Sequence, residues 1–98
     1  MIADFSTKGS DTPALKVRIT NIDDESCFLL LAPEASIELS SKKIYTLSTE
    51  LEGVRFVHEA RLVSLYDRGV GLVLIAREKN RASWSDLYKV CLERAFVS

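Results

Sequence analysis

Positive charge is not in excess in this chain: 13 Lys and Arg stand against 14 Asp and Glu, leaving a net charge of -1. A domain that grips DNA through its phosphates concentrates basic residues, so this balance argues against DNA as a partner. Long apolar runs are also missing. The longest, Cys27 to Ala32, is far short of the roughly 20 residues that cross a bilayer, and no basic stretch followed by an apolar one opens the chain. These absences predict a cytoplasmic protein without a transmembrane segment. Histidine occurs once, and cysteine only at positions 27 and 91. That set offers no metal-ligand spacing, and the two thiols suit reduced packing residues better than a disulfide framework. The four glycines, at 9, 53, 69 and 71, form neither a Walker pattern nor a G-x-G-x-x-G fingerprint, which removes the usual phosphate cradles. No cofactor is expected.

What is present is the composition of a folded chain: 47% hydrophobic and 28% charged over 98 residues, enough for one small core and too little for a multidomain enzyme. Met1 to Pro13 is rich in Ser, Thr, Gly and Asp, which favours turns, and is read as a flexible leader (1–13) ahead of a folded domain (14–98). Such a start fits a whole protein or an excised domain. From Ala14 onward, Leu15, Val17 and Ile19 alternate with polar residues, the period of a half-buried strand. Asn21, Asp23 and Asp24 give a turn, and Ser26 to Ala32 a second strand. Ile37 and Leu39 suggest a short third. Tyr45, Leu47, Thr49 and Leu51 mark one face of the next, and Glu52-Gly53 a turn. Val54 to Leu65 is long for one strand, and its apolar face switches near Val57 and His58, as a β-bulge would require. Tyr66 to Gly69 makes a tight turn into a last strand, Val70 to Ala76. The fold class that follows is mainly β: a small antiparallel barrel or sandwich of five or six strands.

At the C-terminus the period changes to that of a helix. Ser83 stands three residues before Asp86, the spacing of a capped first turn. Trp84, Leu87, Tyr88, Cys91, Leu92 and Ala95 then form one apolar stripe that must dock on the sheet. Val90 and Val97 fall outside it, seven positions apart on one side of the helix, as candidates for a second contact surface or as ordinary exposed valines.

Catalytic chemistry has little to stand on. A Ser-His-Asp arrangement would have to use His58, the single histidine, which lies in a strand pattern without a G-x-S-x-G elbow elsewhere. The acidic run Asp23-Asp24-Glu25 lacks the alternating ligand spacing of a calcium loop. It is read as a solvated turn that makes one hairpin mouth negative and opposes anionic ligands there.

The order of short strands, the stretch Ala60-Arg61-Leu62-Val63-Ser64-Leu65-Tyr66-Asp67-Arg68-Gly69-Val70-Gly71-Leu72 and the final amphipathic helix resemble the PilZ domain. The resemblance implies a six-stranded β-barrel with a C-terminal helix and a bacterial regulatory role. Many members are receptors for cyclic di-GMP. Others work through protein partners in type IV pilus assembly, motility or exopolysaccharide export. Receptors carry R-x-x-x-R before the first strand and D/N-x-S-x-x-G after it. Here Met1 to Pro13 has no arginine, only Lys8. In Asn21-Ile22-Asp23-Asp24-Glu25-Ser26, Asn21 fits, Asp23 replaces the Ser and Ser26 replaces the Gly. Each arginine-phosphate hydrogen bond is worth about 1.5 to 3 kcal/mol, so losing two removes about 3 to 6 kcal/mol, or two to four decades of affinity.

The reading drawn from the sequence is therefore a non-enzymatic regulatory or adaptor domain acting through a protein partner, self-association as a homodimer being left open. Its candidate contact residues are Asp23, Asp24, Glu25, Val90 and Val97. One alternative is a divergent cyclic di-GMP receptor built on Lys16, Arg18, Asn21 and Asp23. Another is an SH3-like or Sm-like barrel that binds peptide or RNA.

Overall fold

Alternation of buried and exposed side chains builds the β-structure of this computed structural model, which describes residues 1–11, 13–33, 38–75 and 77–93. Six antiparallel strands, β1 (Ile2–Thr7), β2 (Leu15–Ile22), β3 (Ser26–Leu30), β4 (Ile44–Leu51), β5 (Val54–Leu65) and β6 (Gly69–Leu74), precede one helix, α1 (Glu78–Glu93). They close into a barrel in the order β1-β2-β3-β6-β5-β4. Inward residues of every strand meet in one core: Phe5, Ile19, Leu29, Leu47 and Val70 are fully buried, and the Phe5 and Tyr45 rings stack at 5.0 Å. Closure leaves no strand edge unpaired within the barrel, so the backbone cannot recruit a further strand there.

The expected barrel with a C-terminal helix is thus the observed fold class, but its first strand lies where a flexible leader was expected. Ile2 to Thr7 forms β1, which pairs with β2 on one side and with β4 on the other, Phe5 opposite both Leu15 and Leu47. Only Ala3 and Phe5 are buried along it, and two inward side chains among Ser, Thr and Asp are too few for period-two alternation to stand out. The strand expected at Ile37 and Leu39 is not seen at Leu39, and Ile37 lies outside the described residues.

The bulge in β5 also sits elsewhere. The β4–β5 register runs unbroken from Ile44↔Arg61 to Leu51↔Val54, through Leu47↔His58, and the shift falls between Leu62 and Ser64 in the pairing with β6. A buried histidine at an inward position mimics a change of face: His58 points inward while Val57 is exposed, so the alternation never breaks there. A second irregularity lies between Ile19 and Asn21 in β2. The β4–β5 turn has positive φ at both Glu52 (52°) and Gly53 (80°), as a two-residue hairpin of the I′ kind demands.

Helix α1 starts at Glu78, five residues before the expected cap at Ser83. The reason is Asn80. Its Oδ1 accepts from the Glu59 backbone N–H at 2.9 Å, while Nδ2 donates to the carbonyls of Glu59 and Ile75, both at 2.8 Å. These bonds fasten the first turn to β5 through the tertiary structure rather than through a local cap. Trp84, Leu87 and Cys91 are buried, as the stripe requires, and Tyr88 is half-buried. Leu92, placed in the same stripe, is more than half exposed, and Ala95 lies outside the described residues. The buried stripe is Asn80, Trp84, Leu87, Cys91, shifted toward the N-terminus because the helix begins earlier.

Candidate interaction surface

The β2–β3 turn is organised by one carboxylate. Oδ1 of Asp23 accepts from the backbone N–H of Glu25 at 3.0 Å and of Ser26 at 2.8 Å, and both of its oxygens accept from the Ser26 hydroxyl at 2.9 Å. The Glu25 N–H, together with the Ser26 donors, holds this carboxyl below the usual carboxylate range, so Asp23 is an anion at neutral pH. The helix secures the same turn from the other side: Nε1 of Trp84 donates to the Asp23 carbonyl at 2.7 Å. Asp23 is therefore a structural pin. All three residues of the acidic run, Asp23, Asp24 and Glu25, are exposed.

The residues considered for a nucleotide do not converge on one cavity. Asn21 and Asp23 line a groove with Ser26, Phe28, Ser64 and Gly71, about 470 Å³ in volume. Lys16 and Arg18 line a different one with Leu30 and Arg68, about 370 Å³. A diphosphate in the first groove would meet the Asp23 carboxylate without the two cations of the second. Of the helix candidates, Val90 is half-buried and Val97 lies outside the described residues.

A surface not picked out from the sequence runs along β3, β6 and β5. Phe28 and Leu30 alternate with the buried Cys27 and Leu29 and so face outward. Opposite them are glycines, Phe28↔Gly71 and Leu30↔Gly69. A Cβ added at Gly69 would collide with the Phe28 ring, and one at Gly71 with the Ser64 hydroxyl, so both glycines are covered by neighbouring side chains. The Phe28 ring lies 5.9 Å from that of Tyr66. Leu30, Val63 and Tyr66 are 41%, 62% and 63% exposed, which leaves an apolar strip open to solvent. The continuous apolar run Cys27 to Ala32 has no alternation of apolar and polar residues, so the sequence does not display that Phe28 and Leu30 face outward. Their meeting with Val63 and Tyr66 depends on the β5 bulge and on a cross-strand register that the sequence does not display.

His58 occupies a different setting. It is 1% exposed, and its ring meets that of Trp84 edge to face at 4.8 Å. Among the described residues neither ring nitrogen has a hydrogen-bond partner, so no hydroxyl or carboxylate is in place to form a relay with it. Burial lowers its pKa to about 4, which keeps the imidazole neutral at physiological pH. Burial, aided by the Asp23 charge, pushes the Cys27 thiol up to about 12, the state of an inert packing residue. Glu59 is drawn below the carboxylate range, first by the side-chain hydrogen bond from Lys8 and then by the charges of Lys8 and Arg77. Among the described residues no three His, Cys, Asp or Glu side chains come together as a metal site, and no helix is long and apolar enough to cross a membrane.

Searches against family models, curated proteins and solved structures returned no match to this chain.

Proposed function

We propose that this chain is a non-enzymatic regulatory or adaptor domain that works through protein–protein contacts on the outer face of its barrel. Such a role is what the PilZ resemblance implies for members without the nucleotide motifs. The observation that carries the reading is the exposed apolar strip of Leu30, Val63 and Tyr66 around Phe28. Contiguous exposed apolar side chains are costly in water unless a partner covers them, and aromatic residues are favoured where partners meet. Two features weigh against cyclic di-GMP: its candidate residues are split between two grooves, and the Asp23 carboxylate sits in one of them.

The test is photo-cross-linking in an extract of the source cells from a reactive residue placed at Tyr66, with Asp86 on the exposed face of α1 as control. A discrete protein adduct from position 66 alone, lost when Val63 is changed to Glu, is the expected result. Equal or no adducts from both positions would refute the reading. So would a saturable, micromolar shift of the Asn21 and Asp23 amides on adding cyclic di-GMP.

A further inference from the structure

Next to the apolar strip, and sharing Leu30 with it, lies the groove of Lys16, Arg18 and Arg68. Its central row crosses three strands: Ile2 of β1 and Leu30 of β3 both pair with Arg18 of β2. An arginine is thereby flanked on both sides by apolar side chains that are 54% and 41% exposed. Arg68 reaches the same groove from the β5–β6 turn, where its carbonyl accepts from the Leu31 N–H at 2.8 Å. Leu31 and Pro33 extend the apolar floor.

The charges here are unevenly matched. Lys16 pairs with Asp4 at 2.6 Å, and Asp4 is shared with Arg55 at 3.7 Å. Among the described residues neither Arg18 nor Arg68 has an acidic partner, and no carboxylate is among the groove's lining residues. In a chain of net charge -1, two guanidinium groups without an acidic partner among the described residues, set across one apolar floor, are a local excess. Guanidinium forks match carboxylates in bidentate geometry.

We propose that this groove docks an acidic peptide segment of a partner protein, one carboxylate to Arg18 and another to Arg68, with an apolar residue between them seated on Leu30 or Ile2. The proposal rests on the protein-contact reading and names the chemistry of the partner. Three considerations select a peptide. The closed barrel has no edge to which a strand could add, so recognition must come from side chains. Among the described residues the lining contains no aromatic ring on which a nucleobase could stack. Three basic residues are fewer than the clusters of four to eight that read as membrane-binding.

The test uses the whole chain and an immobilised set of capped hexapeptides, each with two Glu flanking one Leu, Ile or Phe. Matching sets carry Gln or Lys in place of Glu. The expected result is preference for the Glu set and loss of about tenfold in affinity for each of Arg18→Gln and Arg68→Gln, with Arg18→Lys in between. Both arginines are exposed, and unchanged Trp84 fluorescence would show that the variants fold. Equal binding of the Gln set, unaffected by either substitution, would overturn the acidic preference while leaving an apolar protein contact standing. Binding of no peptide set, or arginine-dependent binding of cyclic di-GMP or of phosphatidylserine vesicles instead, would overturn the proposal outright.

Discussion

His58 makes the stability of this barrel depend on pH in a window set by its burial. The unfolded imidazole titrates at its ordinary value of 6.5, whereas in the folded chain burial holds it down to about 4. Between those values the unfolded state binds a proton that the folded state refuses, so stability falls as pH falls. Above pH 6.5 both states are neutral and His58 contributes no dependence; below about pH 4 both are protonated and its contribution is flat. At 1.36 kcal/mol per pKa unit, the loss across the window is about 3 kcal/mol. The assay is urea unfolding followed by the fluorescence of Trp84, the single tryptophan, at half-unit steps from pH 7.5 to 4, for the wild type and for His58→Leu. Carboxylates such as Asp23 and Glu59, which are held low, titrate alike in both proteins and cancel in the difference. The difference should move by about 3 kcal/mol in favour of the variant as pH falls from 6.5 to 4. At pH 7.5 His58→Leu should cost little, because it removes a buried N–H with no acceptor among the described residues. Parallel stability curves, or an imidazole C2 proton that titrates at pH 6 or above, would refute the reasoning.

Four further substitutions test how the elements are held. Glu52 carries a φ of 52°, which an ordinary side chain adopts at a cost, so Glu52→Asn should raise stability by about 0.5 kcal/mol, whereas Gly53→Ala, at φ 80°, should lower it by about 1 kcal/mol or more; thermal melting reads both. Asn80→Ala removes three hydrogen bonds to backbone and leaves the buried side of the Glu59 N–H unsatisfied, for a loss of about 2 to 3 kcal/mol and faster amide exchange in the first turn of α1; unchanged exchange there would contradict the fastening role. Gly69→Ala forces the Phe28 ring aside and should cost about 1 to 3 kcal/mol, a penalty that shrinks in a Phe28→Ala background when the double-mutant cycle is measured by denaturation.

The parts of the barrel that were legible are those whose residues carry their own local pattern. Val17 and Ile19, then Tyr45, Leu47 and Thr49, alternate strongly enough to fix both the strand and its inward face. The turn at Tyr66 to Gly69 was legible from its composition. Where reading failed, the deciding interaction was not local. β1 is a strand because β2 and β4 stand on either side of it, since closing a barrel requires Phe5 at that place more than it requires a distinctive sequence around it. The helix start was misplaced because Asn80 satisfies groups on β5, 21 residues away, instead of capping its own turn. The bulge was misplaced because a polar residue, His58, sits in an inward slot.

The candidate surface obeys the same distinction. Arg18 alternates with the buried Val17 and Ile19 and so falls on the outer face of β2, yet nothing near it in the sequence says what flanks it. Ile2, Arg18 and Leu30 become neighbours only through two registers, β1 with β2 and β2 with β3, and the first involves a strand that composition hides. Arg68 joins them through a turn 50 positions along the chain from Arg18. A one-residue slip in either register would send Ile2 or Leu30 to the other face and bring Ala3 or Leu29, both core residues, beside the arginine. The burial of Ala3 and Leu29 therefore fixes the register, and with it the apolar–cation–apolar row. The core that stabilises the barrel is also what places the groove on its outside, so substitutions that loosen β1 should weaken binding at Arg18 without touching any groove residue.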